Sequence, residues 1–241
     1  MTAEPARGRP ASAPASQTLS RGIRVLELLA DAGEPLTIDE LAERLGVHRS
    51  IAYRLVRTLE DHGLVTRDPT GGVALGARMA SLAAGVAPDL QAEALPELTT
   101  VANELGMTCF LAVLDHDECV ILASVEPRHA VASVAQRPGT RHPVSVGAPG
   151  KALLTALPES EWPSGASAQL TAEVAAVGAR GYAQSHDEVI PSVKSVAVPL
   201  RLRGRSPAAI AVVYVASGTE PATIGARLAA SATSIREALG D

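Results

Sequence analysis

The stretch from Leu36 to Gly72, LTIDELAERLGVHRSIAYRLVRTLEDHGLVTRDPTGG, leaves few folds open. Thr37 with Glu40 three residues on fits a capping box, in which each side chain satisfies a backbone N–H of the first helical turn. Ile38, Leu41, Ala42 and Leu45 recur at helical spacing, so one face is apolar. Gly46 stands where a helix needs a left-handed stop. Val47 opens a turn, and a second helix is predicted from His48 or Arg49. Its apolar stripe is Ile51, Leu55 and Leu59, while Ser50, Tyr53, Arg54 and Arg57 take the other face. Gly63 ends it. Leu64 to Arg67 and Val73 to Leu75 then pair across Asp68-Pro69-Thr70-Gly71-Gly72, a turn-rich insert suited to a hairpin. Helix, glycine turn, helix, glycine and hairpin in series outline a winged helix-turn-helix.

In such a unit the apolar stripe fixes the second helix and the polar stripe enters the major groove of double-stranded DNA. Arg54 can offer guanine a bidentate fork, and Ser50 and Tyr53 can reach base edges or phosphates. Thr37, His48 and Arg49, at the helix starts, join the expected DNA-binding set. Arg67 at the wing is expected against the phosphate backbone, as are Ser20 and Arg21 at the start of an earlier helix. An exposed helix with solvated charges is the plainer alternative, and the ordered series of elements weighs against it.

The formal net charge of −5 does not resemble that of a nucleic-acid binder, but its distribution matters more than its sign. Between Val47 and Arg67, four arginines (49, 54, 57 and 67) face only Glu60 and Asp61. The acidic excess lies elsewhere.

At 241 residues the chain can hold one large or two modest domains. No apolar run is long enough to span a bilayer and no secretory signal is evident, so a cytoplasmic protein without a membrane partner is expected. Residues 1–16, rich in Pro, Ala, Ser and Gly, read as a disordered tail. Residues 17–75 read as the winged domain, opened by a helix from Thr18 to Ala32 whose broad apolar surface suits a core and a dimer contact. Residues 76–88 read as a linker helix, with Ala77 to Val86 helical and Pro88 breaking it.

From residue 89 to 241 the pattern is α+β. A helix over Leu90 to Leu105 is kinked or restarted at Pro96. Strands follow at Thr108 to Asp115, Cys119 to Val125 and Val131 to Gln136. Lys151 to Leu157 is a short helix entered through Gly147-Ala148-Pro149-Gly150. Leu170, Val174 and Val177 mark another helix. Tyr182 to Gln184, Ser195 to Leu200 and Pro207 to Ala216 are further strands, and Thr223 to Leu239 is a closing helix. Strands in runs with helices at both ends imply an antiparallel sheet.

Catalytic chemistry is not evident. A phosphate loop needs Gly five residues before Gly150-Lys151 and Ser or Thr after the lysine. Those positions hold Ser145 and Ala152, so Lys151 reads as a surface charge. Ser185, His186 and Asp187 are consecutive and cannot form a relay. Asp115, His116, Asp117 and Glu118 crowd one turn and read as solvated rather than as a metal site. Cys109 and Cys119 sit in predicted strands, could be neighbours, and read as buried thiols. No catalytic residue, cofactor or metal is expected.

These pieces together resemble the IclR family of bacterial transcription regulators. The likeness rests on LTIDELAERLGVHRSIAYRLVRTLEDHGLV, the wing ending in GGVALG, GAPGKALL, the Gly181-Tyr182 pair in RGYAQS, and SVAVPL followed by PAAIAVVYV. It covers nearly the whole chain after the tail. The resemblance implies a winged helix-turn-helix, a linker helix and a GAF-like effector-binding domain. It also implies a homodimer or tetramer, an operator and a small-molecule effector, often a carboxylate or aromatic acid. For the effector pocket it implies Val146, Ala148, Pro149 and Gly150 on one wall. Ser185, Val193 and Ser195 follow after the Gly-Tyr pair, and Ala211 and Val213 come from the last strand.

The start of the helix near Gly150 is expected to expose N–H groups to a carboxylate. Ala211 and Val213 stand where the family often has small hydroxyl residues, and Ser185 where some members have an acid. These departures point to a less polar pocket and a larger, partly apolar ligand. The alternative is a DNA-binding protein whose C-terminal domain serves only oligomerisation.

Overall fold

Side chains settle the helix ends of the N-terminal unit. In the computed structural model, which describes residues 16–129 and 134–241, α1 (Gln17–Ala32) starts on Ser16, whose hydroxyl accepts the Leu19 N–H. Ahead of α2 (Ile38–Leu45) the capping box closes. Glu40 accepts the Thr37 N–H at 2.8 Å and its hydroxyl at 2.7 Å, and returns its own N–H to Thr37 Oγ1 at 3.3 Å. Those bonds hold the Glu40 carboxyl below its usual range. His48 caps α3 (Arg49–Asp61), its Nδ1 accepting the Ser50 N–H.

The wing is β1 (Val65–Arg67) against β2 (Val73–Leu75), antiparallel. Its turn is tied by Asp68, which accepts the N–H groups of Thr70 and Gly72 at 2.8 and 2.9 Å. Leu36 adds a bridge to Val73. Val25, Leu41, Ala52, Val56 and Val73 are buried between these elements. The buried stripe of α3 is Ala52, Leu55 and Val56. Ile51 and Leu59, expected with Leu55 in that stripe, are only half-buried. The stripe turns because α3 packs on both α1 and α2, and the small Ala52 lets the helices approach.

The helix expected over Ala77 to Val86 is the shorter α4 (Arg78–Ala83), with no buried residue. The chain divides into two compact units between Val86 and Ala87.

In the second unit β3 (Thr108–Asp115), β4 (Glu118–Val125), β5 (Arg141–Pro143), β6 (Ala183–His186), β7 (Lys194–Leu200) and β8 (Ala208–Tyr214) form one antiparallel sheet. Its order is β5-β4-β3-β8-β7-β6. Side chains alternate between its faces. Leu111, Val198, Ile210 and Val212 meet Leu98 and Val101 of α5 (Pro88–Leu105) and Leu228 of α8 (Pro221–Ala238). Phe110, Ile121, Ala197 and Ala211 face the opposite way. They meet Leu153 of α6 (Gly147–Leu154) and Val174 of α7 (Ala168–Arg180). Every residue of β8 is buried, as expected for a strand covered on both sides.

Several boundaries differ from the sequence reading. Pro88 begins α5, where a missing N–H costs nothing, and α5 runs on through Pro96 as one element. Gly147 to Gly150 form the first turn of α6 rather than its entry loop. Gly150 must be glycine there, because a Cβ would lie 2.2 Å from the Val144 carbonyl oxygen. The strand expected over Val131 to Gln136 falls partly on residues 131–133, outside the described residues, as does the N-terminal tail apart from Ser16. Val134 to Gln136 are not in a strand. The outer partner of β4 is instead β5, beyond the turn at Pro138-Gly139. Cys109 and Cys119 are both buried, but in cores on opposite faces of the sheet. Burial raises both thiols, Cys119 to about 12, so neither forms a reactive thiolate. No helix among the described residues is long and apolar enough to cross a membrane.

The glycines of the second unit separate by what surrounds them. Gly150→Ala is expected to cost about 2 kcal/mol through forced overpacking. Gly178→Ala, inside α7 with nothing within 4 Å of the added methyl, is expected to gain about 0.5–1 kcal/mol. Chemical denaturation of the two variants checks the pair.

Candidate functional site

In the N-terminal unit, α3 turns Ser50, Tyr53, Arg54 and Arg57 outward, all exposed. Arg54 shares a groove between α1 and α3 with Arg21, along with Thr18 and Thr58, so the sequence-predicted Arg21 and Arg54 come together. Ser20, Thr37, His48 and Arg49 are exposed as well, but three of them have local work. Thr37 is spent on the capping box. His48 Nδ1 lies 2.9 Å from Ser50 Oγ. Arg49 Nε lies 2.6 Å from Asp39 Oδ1, an exposed pair open to competition from phosphate.

Arg67 does not reach outward. Its guanidinium lies over the Tyr53 ring, 5.0 Å from the centroid, and its Nε is 3.2 Å from Glu60 Oε2. The wing arginine thus holds the aromatic side chain of α3 in place through a cation–π contact.

In the C-terminal unit a cavity of about 110 Å³ opens on the α6 side of the sheet. Pro149, Ser185, Val193, Ser195 and Val213, expected from the sequence, line it. Val146, Ala148, Gly150 and Ala211 do not. Ala148 and Ala211 belong to the core behind the cavity. Gly150 packs on Val144, and Val146 caps the helix. The sequence reading missed the apolar Phe110, Ile121, Val189 and Ile190, and also Gly147 and the polar Gln136, Thr140 and His142. Phe110 and Ile121 were accessible from strand alternation. Val189 and Ile190, in an irregular loop, carried no periodic signal.

Beside the cavity sits Lys151, whose side chain is 3% exposed. It is not the surface charge expected. All eight residues of α6 are buried, and the ammonium meets two carboxylates, Glu173 Oε2 and Glu188 Oε1, each at 2.6 Å. Glu188 Oε2 also accepts the Gly147 N–H at 2.8 Å, and Ser185 Oγ accepts that of Ala148 at 2.9 Å. The N–H groups expected to be open to a ligand are therefore taken. Burial pushes the Glu173 carboxyl up, but hydrogen bonds from Lys151 and Gln169 outweigh it and leave the group below its usual range.

Ser185, His186 and Asp187 do not converge into a relay. Ser185 points to Ala148, while His186 Nε2 lies 3.5 Å from Asp187 Oδ2. The Asp115–Glu118 turn holds an exposed His116–Asp115 contact, and no metal-binding group of His, Cys, Asp and Glu occurs among the described residues.

Comparison with known proteins identifies the family of both units. The model of the IclR helix-turn-helix domain matches residues 18–69, and that of the bacterial transcriptional regulator IclR C-terminal region matches residues 84–236. HTH-type transcriptional regulator Rv1719 of Mycobacterium tuberculosis is 34% identical over 59% of this chain, a match that spans 55% of that protein. The crystal structure of an IclR regulator from Alicyclobacillus acidocaldarius superposes with a TM-score of 0.80 at 28% identity, covering 93% of this chain and 99% of that one. An IclR homolog from Microbacterium hydrocarbonoxydans, solved in complex with 4-hydroxybenzoate, gives 0.78 at 28% identity and the same coverage.

Removing Lys151 would leave two carboxylates facing each other without a cation. Lys151→Ala is expected to cost about 2 kcal/mol, less than a wholly buried pair because both acids are partly exposed. A carboxyl depressed on folding adds stability that is present above its unfolded pKa and lost as pH falls through the folded value. The deficit of the variant is therefore expected to shrink on acidification below the usual carboxylate range, which thermal melts across pH check.

Proposed function

We propose, for a chain that belongs to the IclR family of DNA-binding bacterial transcriptional regulators, that α3 reads an operator and that a small molecule in the C-terminal cavity controls the reading. The matched families are those of regulators, not enzymes. The observation that carries the proposal is the outward stripe of Ser50, Tyr53, Arg54 and Arg57, opposite the buried Ala52, Leu55 and Val56. Arg54 takes the base-reading role. Arg57, Arg49, Arg21, Ser20, His48 and Thr37 take phosphate and positioning roles. Arg67 acts through Tyr53.

Leu19 and Ile23 on α1, 64% and 49% exposed, offer an apolar face for pairing two copies. A homodimer would present two α3 helices to half-sites ~34–36 Å apart or a multiple of that, and the second unit supplies surface for a tetramer. The protein acts in the cytoplasm, where its operator lies. The effector reading is supported by the lined cavity and by the ligand complex of the Microbacterium relative. Effector control requires that the ligand bind two states of the protein unequally. A ligand that shifts both melting temperature and operator affinity distinguishes this from a domain that only oligomerises.

The test is fluorescence-anisotropy binding to the DNA upstream of the protein's own gene, against random DNA, over a salt series. Tight, selective, salt-dependent binding is expected. No binding at low salt would overturn the reading. Arg54→Ala is expected to lose about 10–100-fold on the operator, the worth of a bidentate base contact, and far less on random DNA. Equal loss on both would make Arg54 a phosphate contact.

A further inference from the structure

The cavity sits beside a helix start that has no donor left to give. An α-helix leaves four N–H groups without intrahelical partners. At α6 these belong to Val146, Gly147, Ala148 and Pro149. Val146 donates to the Pro143 carbonyl at 3.2 Å. Gly147 donates to Glu188 and Ala148 to Ser185. Pro149 has no N–H. The nearby cation is equally committed, since Lys151 stands between Glu173 and Glu188. One positive and two negative side chains leave this end of the cavity with an excess of negative charge, so a carboxylate seated at the helix start would meet repulsion and no free backbone N–H.

The remaining lining fits another chemistry. Ser185 and Ser195 are directly paired across β6 and β7, which puts their hydroxyls on the same face of the sheet. Ser195 donates to the Val212 carbonyl at 2.8 Å, so its oxygen is left to accept. Ser185 accepts the Ala148 N–H, so its proton is left to donate. Around this donor–acceptor pair the apolar walls are Phe110, Ile121, Val193 and Val213, and the polar Gln136, Thr140 and His142 also line the cavity.

We propose that this cavity takes an uncharged ligand, a single small ring bearing a hydroxyl group, and that Glu188 is the protein's own occupant of the anion seat at α6. The ligand hydroxyl accepts from Ser185 and donates to Ser195, and the ring lies among the apolar walls. The inference rests on the cavity being an effector site, and it decides which effectors enter.

Isothermal titration of the full-length protein at pH 7 with phenol and with benzoate tests it. Phenol is expected to bind at least about tenfold more tightly, the effect of roughly 1.4 kcal/mol. Val193→Phe, which fills the cavity, is expected to abolish phenol binding. Glu188→Gln removes the negative charge and keeps an oxygen for the Gly147 N–H. It is expected to raise benzoate affinity by about tenfold while leaving phenol within about threefold. Benzoate binding to the unaltered protein as tightly as phenol would overturn the uncharged-ligand inference and leave the effector reading standing. Phenol binding unchanged by Val193→Phe would place the site elsewhere and overturn the inference. Binding of neither probe would overturn the inference and leave the effector reading to the melting and operator-affinity test.

Discussion

One buried ammonium group sets the geometry around the cavity. A charge as far from water as that of Lys151 is tolerable only when paired and hydrogen-bonded. Its partners come from α7 and from the loop between β6 and β7, so three separate segments converge on it. Glu188 spans this cluster, with one oxygen on the lysine and the other on the first N–H of α6. The same carboxylate therefore places two walls of the cavity. Gly147 and Pro149 belong to one wall, Val189 and Ile190 to the other. Such a clamp contributes little net stability, because desolvation offsets the attraction. Its consequence is placement.

The N-terminal unit uses polar contacts in the same way, but at its surface. Thr37 with Glu40, His48 with Ser50 and Asp68 with Thr70 and Gly72 fix where each turn begins. Arg67 and Glu60 then hold Tyr53, which is 43% exposed, against the wing. An aromatic side chain already held has less freedom to lose when it meets a partner, which favours binding without adding a contact.

Periodicity made most of the fold legible. The winged unit could be read almost residue by residue, because caps, glycine stops and an Asp-Pro-Thr-Gly-Gly turn are local signals. The sheet was legible through alternation, and Ser185, Ser195, Val193 and Val213 were found through family resemblance. What failed was non-local. Nothing near Glu188 in the chain signals that its carboxylate meets Gly147, 41 residues away. Lys151 read as a surface charge because its partners lie on other elements. The half-burial of Ile51 and Leu59 follows from α3 packing on two helices at once, a tertiary choice that a single-helix stripe does not contain. β5 was misplaced because Arg141-His142-Pro143 lacks strand character of its own and joins the sheet through β4.

The loop that carries Glu188 is also where a ligand finds the most unburied apolar surface. Asp187 and Ser192 adopt left-handed φ values of 60° and 63°, a conformation that costs a non-glycine residue on the order of 1 kcal/mol. Local bonds maintain it, with Asp187 accepting the Ser192 N–H and donating its own to the Val193 carbonyl. Within that turn Val189 and Ile190 line the cavity yet remain 45% and 36% exposed. A ring entering the cavity covers apolar surface there, which is favourable in proportion to the area removed from water. A carboxylate seated at the start of α6 would have to displace Glu188 from Gly147 and Lys151, undoing bonds that hold the loop. The uncharged ligand thus adds to the packing of the loop, whereas a carboxylate at the helix start competes with the contact that holds it.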